Sequence, residues 1–216
     1  LKKRISGLYA ITPEQPDTAR LLGQVKLVLE GGANLLQYRS KNDDVALLHE
    51  QASELLTLCR SYHVPLIVND NLRLADLIGA DGVHLGREDA SLREARIVLG
   101  NKRIVGVSCY GDLELARQAE QDGADYVAFG SCFSSSIKPD APRVSLEVIQ
   151  AARLALQVPI VAIGGITADN LSSLLRSGVD AVAIISALFD AADPALAASL
   201  FVKYFALPGK PEPSLH

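Results

Sequence analysis

Short β-branched runs alternate with longer amphipathic segments eight times along this chain, and that alternation restricts the fold more than any other feature. The runs predict strands near Leu8–Thr12, Asn34–Tyr38, Pro65–Asn69, Gly82–Leu85, Arg103–Ser108, Tyr126–Gly130, Ile160–Ile163 and Ala181–Ile185. Helical spacing fills Thr18–Glu30, Asp43–Tyr62, Leu72–Ile78, Ser91–Leu99, Asp112–Asp122, Ser145–Leu156, Asn170–Ser177 and Pro194–Tyr204. One helix start is marked by Ser91 with Glu94 three residues later, a capping box. Strand and helix in strict alternation imply βαβ units and a parallel sheet covered on both faces, which suits strands that are almost continuously apolar. A weak internal repeat agrees with the count. Gly31-Gly32-Ala33-Asn34, Gly79-Ala80-Asp81, Gly123-Ala124-Asp125 and Gly178-Val179-Asp180 precede every second strand, and glycine there closes the helix before it. Eight units, at about 27 of the 216 residues each, predict a single (β/α)8 TIM barrel of bare proportions over residues 1–206, with 207–216 as a flexible tail. An open doubly wound sheet is the main rival. It is weakened because no Gly-x-Gly-x-x-Gly follows the first strand.

Composition narrows the function classes. At 49% hydrophobic and 21% charged residues the chain has enough apolar content for a full core. It holds no apolar stretch long enough for a transmembrane helix. A net charge of −4, with no basic run beyond Lys2-Lys3-Arg4, argues against nucleic acid or a membrane surface as partner. Aromatic residues are only 5% with no Trp, which disfavours base-stacking platforms. Cys59, Cys109 and Cys132 form no CxxC pair, and no secretory signal opens the chain, so free thiols and a cytoplasmic location are expected. Met is absent even at position 1, and the sequence is read as lacking its initiator residue.

In a barrel of this kind the chemistry sits where strands end at their C-termini. The first strand ends at Thr12-Pro13 and offers little. The second runs through Gln37-Tyr38-Arg39-Ser40-Lys41, and alternation aims Gln37, Arg39 and Lys41 at one spot, an arrangement suited to a multiply charged phosphate. Solvated charges opening the next helix would give the same residues. Asp70 follows the third strand and Asp89 the fourth. Two carboxylates beside cations fit Mg²⁺, which completes its shell with water and substrate phosphates; helix N-terminal charge is the alternative for each. Ser108 at the end of the fifth strand can position a substrate. The longest loop, Gly130 to Arg143, carries Ser134-Ser135-Ser136-Ile137-Lys138, hydroxyls and a cation able to close on an anion. Gly164-Gly165 and Ile185-Ser186, after the seventh and eighth strands, match the recurrent phosphate cradle of this fold. His84, beside the carboxylates, either shapes the pocket or is a packed, hydrogen-bonded histidine. Cys132 has no neighbouring base to activate it. Two anionic regions on one face suggest an enzyme that joins or splits two phosphorylated substrates with diphosphate as leaving group. The carbon skeletons are not readable from these residues.

In order along the chain, Gln37-x-Arg39-x-Lys41, Asn69-Asp70, Asp81-Gly-Val-His-Leu-Gly86 with Asp89, and Ser108 form a set that resembles the thiamine-phosphate synthase family. The likeness continues through Tyr126-Val-Ala-Phe-Gly130, Lys138-Pro-Asp-Ala141, Val161-Ala-Ile-Gly-Gly-Ile166 and Ile184-Ile-Ser186. It implies a (β/α)8 transferase that condenses 4-amino-5-hydroxymethyl-2-methylpyrimidine diphosphate with 4-methyl-5-(2-phosphoethyl)thiazole, with Mg²⁺ as cofactor. By that resemblance Gln37, Arg39, Lys41, Asn69, Ser108 and Lys138 bind the pyrimidine diphosphate, and Asp70 and Asp89 hold the metal. Ser135, Ser136, Ile137, Gly165, Ile185 and Ser186 would bind the thiazole phosphate. One departure stands out: the family's loop reads Pro-Thr-x-Thr-Lys, and Ile137 occupies the place of its second Thr. Loss of that hydroxyl is expected to weaken thiazole-phosphate binding by about 1 kcal/mol, one ordinary hydrogen bond; Ile137→Thr would then lower the KM for that substrate. A related thiazole tautomerase, a silent ligand-binding or regulatory paralogue, and a sugar-phosphate isomerase barrel are the rival readings. The intact charged set argues against the first two, and the missing acid/base pair against the third.

Overall fold

The computed structural model of the protein describes residues 5–134 and 142–206. Eight parallel strands close into a barrel in sequence order: β1 (Gly7–Ile11), β2 (Leu35–Tyr38), β3 (Leu66–Asn69), β4 (Gly82–Leu85), β5 (Ile104–Tyr110), β6 (Tyr126–Phe129), β7 (Ile160–Ile163) and β8 (Ala181–Ile184). Closure comes from β1 pairing with β8, with Leu8 opposite Val182. The helices between them are α1 (Thr18–Glu30), α2 (Val45–Ser61), α3 (Leu72–Leu77), α4 (Leu92–Leu99), α5 (Leu113–Gln121), α6 (Leu146–Ala155) and α7 (Ala168–Arg176). A one-turn helix, α8 (Ser186–Phe189), and α9 (Pro194–Ala206) complete the ring. The (β/α)8 architecture is therefore the one expected from the alternation. The extra α8 was not foreseen, because four residues are too few to show helical periodicity.

The core has two parts, separated by the sheet. Alternate strand residues, among them Tyr9, Leu35, Ile67, Ile104, Tyr126, Val161 and Ala181, fill the barrel interior. The opposite faces, with Leu8, Leu36, Val68, Val83, Val105 and Val127, pack against the helices. Burial on both faces explains the apolar runs. Helix starts obey local chemistry: Ser91 Oγ accepts from Glu94 N, while the Glu94 carboxylate accepts from Ser91 N at 2.7 Å. No helix among the described residues is long and apolar enough to cross a membrane.

The repeat before every second strand has a second function beyond its glycines. Gly32, Gly79, Gly123 and Gly178 do take positive φ, from 68° to 97°. The Asn or Asp two residues later then reaches across to the preceding odd-numbered strand. Asn34 Oδ1 accepts from Leu8 N, and Asp81, Asp125 and Asp180 accept from Leu66, Val105 and Ile160 N, all at 2.8–2.9 Å. Arg96 pairs with Asp125 at 2.7 Å and Arg153 with Asp180 at 2.9 Å. Each repeat unit is thus tied at the N-terminal end of the barrel, away from the rim where the strands finish.

Candidate functional site

The rim is built from β2 upward. Gln37 points into the barrel and is buried, with its Nε2 donating to the Tyr9 hydroxyl at 2.9 Å. The strand ends at Tyr38, so Arg39 and Lys41 leave the regular alternation: Arg39 is half-buried at the rim and Lys41 is exposed. Thr12, unremarkable in the sequence, is fully buried and holds the Arg39 backbone. Its hydroxyl accepts from Arg39 N at 2.9 Å and donates to Arg39 O at 3.1 Å. Glu14 was also missed. Its carboxylate accepts from Lys41 N at 3.0 Å and lies 3.4 Å from the Arg39 guanidinium.

The two predicted metal carboxylates meet. Asn69 closes β3, and Asp70 follows in a left-handed conformation, φ 60°, with its N–H donating to His84 O at 2.8 Å. A non-glycine residue in that region is uncommon and marks a strained turn. Asp89 is held by Gly86 N, which donates to its Oδ2 at 2.6 Å. The loop carrying Asp89 is further pinned where Arg87 lies over the Tyr110 ring, 4.9 Å from its centre. The Asp70 residue is exposed, yet its carboxyl group is partly withdrawn from water. That desolvation, then the hydrogen bond and charge of Asp89, push its pKa up to about 6, against the lowering effect of Arg39 and Asn69. Two carboxylates crowded to this degree suit a divalent cation, which would relieve their repulsion. Among the described residues no cluster of three or more His, Cys, Asp or Glu side chains could hold a metal ion; Mg²⁺ needs only one or two carboxylates beside substrate phosphates.

His84 lies inside the barrel, stacked on Tyr126 with ring centres 5.6 Å apart. Its Nδ1 is 2.9 Å from the Tyr126 hydroxyl and its Nε2 is 2.8 Å from Ser108 Oγ. Burial lowers its pKa to about 4, so the imidazole is neutral at physiological pH. Of the two readings offered for it, the packed, hydrogen-bonded histidine is the one observed. β5 does not stop at Ser108 but continues to Tyr110 through a bulge, where Ser108 and Tyr110 pair with the consecutive residues Ala128 and Phe129. Bulges at a barrel rim re-aim side chains.

On the far side of the rim, Gly164 and Gly165 follow β7 with φ 100° and 62°. The close approach that glycine permits here is made by the chain itself. Cys132 N donates to Ile163 O and Phe133 N to Gly164 O, and a Cβ on Gly165 would collide with the Ser134 carbonyl. The start of the long loop, residues 132–134, is therefore seated on the end of β7. Ile185 and Ser186 open α8 directly after β8. Ser135, Ser136, Ile137 and Lys138 lie outside the described residues. Cys59, Cys109 and Cys132 are free and buried, and burial pushes the Cys132 thiol up to about 11, which leaves no thiolate nucleophile there.

Comparison with known proteins supplies the family. Residues 8–188 match the family described as thiamine monophosphate synthase. The chain is 56% identical over 200 residues to the thiamine-phosphate synthase of Thiobacillus denitrificans, covering 93% of this chain and 95% of that one. It is 52% identical over 201 residues to that of Methylobacillus flagellatus, covering 93% and 96%. The chain belongs to the thiamine monophosphate synthase family. Among solved structures, the thiamine phosphate pyrophosphorylase from Pyrococcus furiosus superposes with a TM-score of 0.82 at 37% identity, over 91% of this chain and 94% of that one. The family's activity, formation of thiamine phosphate by a transferase, is the one this chain carries.

Within this thiamine monophosphate synthase barrel the interior tyrosines, like Thr12 and Glu14, were not singled out from the sequence. The hydroxyls of Tyr9 and Tyr126 are 2.9 Å apart, and Gly106 leaves the space that the Tyr126 ring fills.

Proposed function

We propose that the rim condenses 4-amino-5-hydroxymethyl-2-methylpyrimidine diphosphate with 4-methyl-5-(2-phosphoethyl)thiazole, releasing diphosphate, and that Asp70 and Asp89 would hold Mg²⁺. The observation that carries this reading is the contact of those two carboxylates beside Arg39, in a chain of this family. A bound Mg²⁺ supplies positive charge that neutralises the diphosphate as it departs. Arg39, with Lys41 and Lys138, would bind the phosphate oxygens and strengthen their hold as charge grows on them. Gln37, Asn69 and Ser108 would bind and orient the pyrimidine diphosphate. Departure of the diphosphate leaves a cation at the pyrimidine methylene, stabilised by the amino group, and the thiazole nitrogen captures it. The residues after β7 and β8, Gly165, Ile185 and Ser186, would hold the thiazole phosphate with the Ser135–Ile137 loop. No protein nucleophile is required. The tyrosine-lined interior beneath the rim keeps water from the cation, so positioning and exclusion of water are the protein's main contributions. The substrates are small phosphorylated molecules, and neither nucleic acid nor a membrane enters this scheme.

The test is to mix both substrates with and without Mg²⁺ and follow thiamine phosphate. Product should form only with both substrates and metal, and Asp70→Asn should reduce metal-dependent turnover by at least about 100-fold, the scale of a lost charge-stabilising group. Full turnover in Asp70→Asn, or none in the parent at high enzyme concentration, would defeat the assignment.

A further inference from the structure

A continuous line of hydrogen bonds crosses the interior of the barrel beneath the rim. It runs from Gln37 Nε2 to the Tyr9 hydroxyl, on to the Tyr126 hydroxyl, to His84 Nδ1, and from His84 Nε2 to Ser108 Oγ, with each step 2.8–2.9 Å long. Tyr9 and Tyr126 are fully buried, 1% and 0% exposed, so neither phenol has water as an alternative partner. Their rings meet edge to face, 5.9 Å apart. Such a line can carry its protons in only one direction. The Gln37 amide nitrogen donates, so the Tyr9 oxygen receives, and the single Tyr9 proton must go to Tyr126. Tyr126 then spends its own proton on His84 Nδ1. Reversal would leave the Tyr9 proton buried against another donor, at the cost of an unsatisfied polar group.

We propose that Tyr9, Tyr126 and His84 are positioning residues that fix the His84 proton on Nε2 and thereby make Ser108 a hydrogen-bond donor toward substrate. With Nε2–H donating to Ser108 Oγ, the Ser108 proton is free to point into the site. At the other end Gln37 spends one N–H of its amide on Tyr9, which fixes the amide's orientation and leaves its Oε1 as an acceptor. The two ends of the line thus present opposite polarity, an acceptor from β2 and a donor from β5. An aminopyrimidine offers the complement, an exocyclic amine that donates and ring nitrogens that accept. This inference rests on the proposed binding of the aminopyrimidine by Gln37 and Ser108, and adds the buried groups that set their polarity. None of the three is among the residues proposed to bind phosphate, so the effect should be confined to one substrate.

Imidazole nitrogen NMR on the ¹⁵N-histidine-labelled protein tests the line without any turnover, with the His84 signals assigned by their loss in His84→Gln. The expected state is protonated Nε2 and bare Nδ1, with the Nε2–H population falling in Tyr126→Phe. In steady-state kinetics Tyr126→Phe should raise the KM for the pyrimidine diphosphate about tenfold, the loss of one well-oriented hydrogen bond. The KM for the thiazole phosphate should stay within about twofold of the parent. His84→Gln, which keeps an N–H toward Ser108, should retain more activity than His84→Leu. Tyr9→Phe serves as the second variant if Tyr126→Phe does not fold. Protonation at Nδ1 would overturn the proposal, and so would equal changes in both KM values, the mark of general loosening. Absence of thiamine phosphate in the parent would defeat the proposed function instead, and the tautomer would then decide the hydrogen-bond line.

Discussion

Asp70 concentrates the chemistry of the site in one side chain. Its carboxyl titrates at about 6 because it is partly desolvated and faces Asp89. The folded protein therefore binds a proton there more tightly than the unfolded chain does. In metal-free protein that contribution to stability is present at pH 4 and is lost as pH rises through about 6. On the proposed function Mg²⁺ would compete with the same proton, and its affinity would move the opposite way. Calorimetric titration should find Mg²⁺ bound about tenfold more weakly at pH 5 than at pH 7, as one proton with a pKa of about 6 requires. Thermal midpoints of metal-free protein, parent against Asp70→Asn, should diverge across the same interval. An affinity flat between pH 5 and 7 would refute this picture of the carboxylate pair. At this scale the sequence placed Asp70 and Asp89 together correctly, because neighbouring strands of a parallel barrel end on one face. It could not show Thr12 clamping Arg39, since a threonine at a strand end has no pattern that separates it from any turn residue.

Among elements, the ties at the N-terminal end of the barrel account for the spacing of the internal repeat. Asp125 accepts from Val105 N and pairs with Arg96, both side chains being only 15% exposed. Asp125→Ala would leave a buried N–H and a guanidinium without this partner. A loss of about 1–3 kcal/mol is expected, seen as a fall of about 2–4 °C in Tm for each kcal/mol. The exposed Arg117–Glu114 pair on α5 supplies the control, since its side chains are 49% and 85% exposed. Glu114→Gln should shift stability by no more than about 0.5 kcal/mol. Denaturant midpoints for the two variants decide between a structural tie and a solvated ion pair. The repeat was legible as glycines that close helices, but the carboxylates were not legible as ties. Their partners lie on the preceding strand, 15–20 residues away in the chain, and no local pattern reports that pairing. The inward direction of Tyr9 and Tyr126 was hidden for a related reason. Strands buried on both faces have no polar side to mark which residues point to the axis. Likewise, the bulge after Ser108 leaves no trace in an apolar run.

Taken as a whole, the molecule carries a net charge of −4, and yet the proposed function has it bind two anionic substrates. The fold resolves this by position. Closure of eight parallel strands brings every strand end to one rim, so Arg39, just after β2, lies close enough to act on Asp70, which meets Asp89 from the loop after β4. Many of the acidic groups lie elsewhere, in helix caps such as Asp17, Asp44 and Asp112 or in the ties beneath the barrel. Recognition should then be local, without a cationic funnel over the protein surface. The range of electrostatic forces separates the two cases. At an ionic strength of about 0.01 M the Debye length is about 30 Å, comparable to the domain, and an approaching anion feels the whole acidic charge. At about 0.15 M it is about 8 Å, and only charges at the rim still act. Added salt therefore weakens the rim attraction and the distant repulsion together. Between those salt concentrations, at saturating Mg²⁺, kcat/KM for the pyrimidine diphosphate should change by less than about threefold. An enzyme that steers its substrate with a broad positive field would lose tenfold or more over the same range. A loss of that size here would mean that the net charge is a poor guide to the field at the rim, with cations gathered around the site from well beyond Arg39 and Lys41.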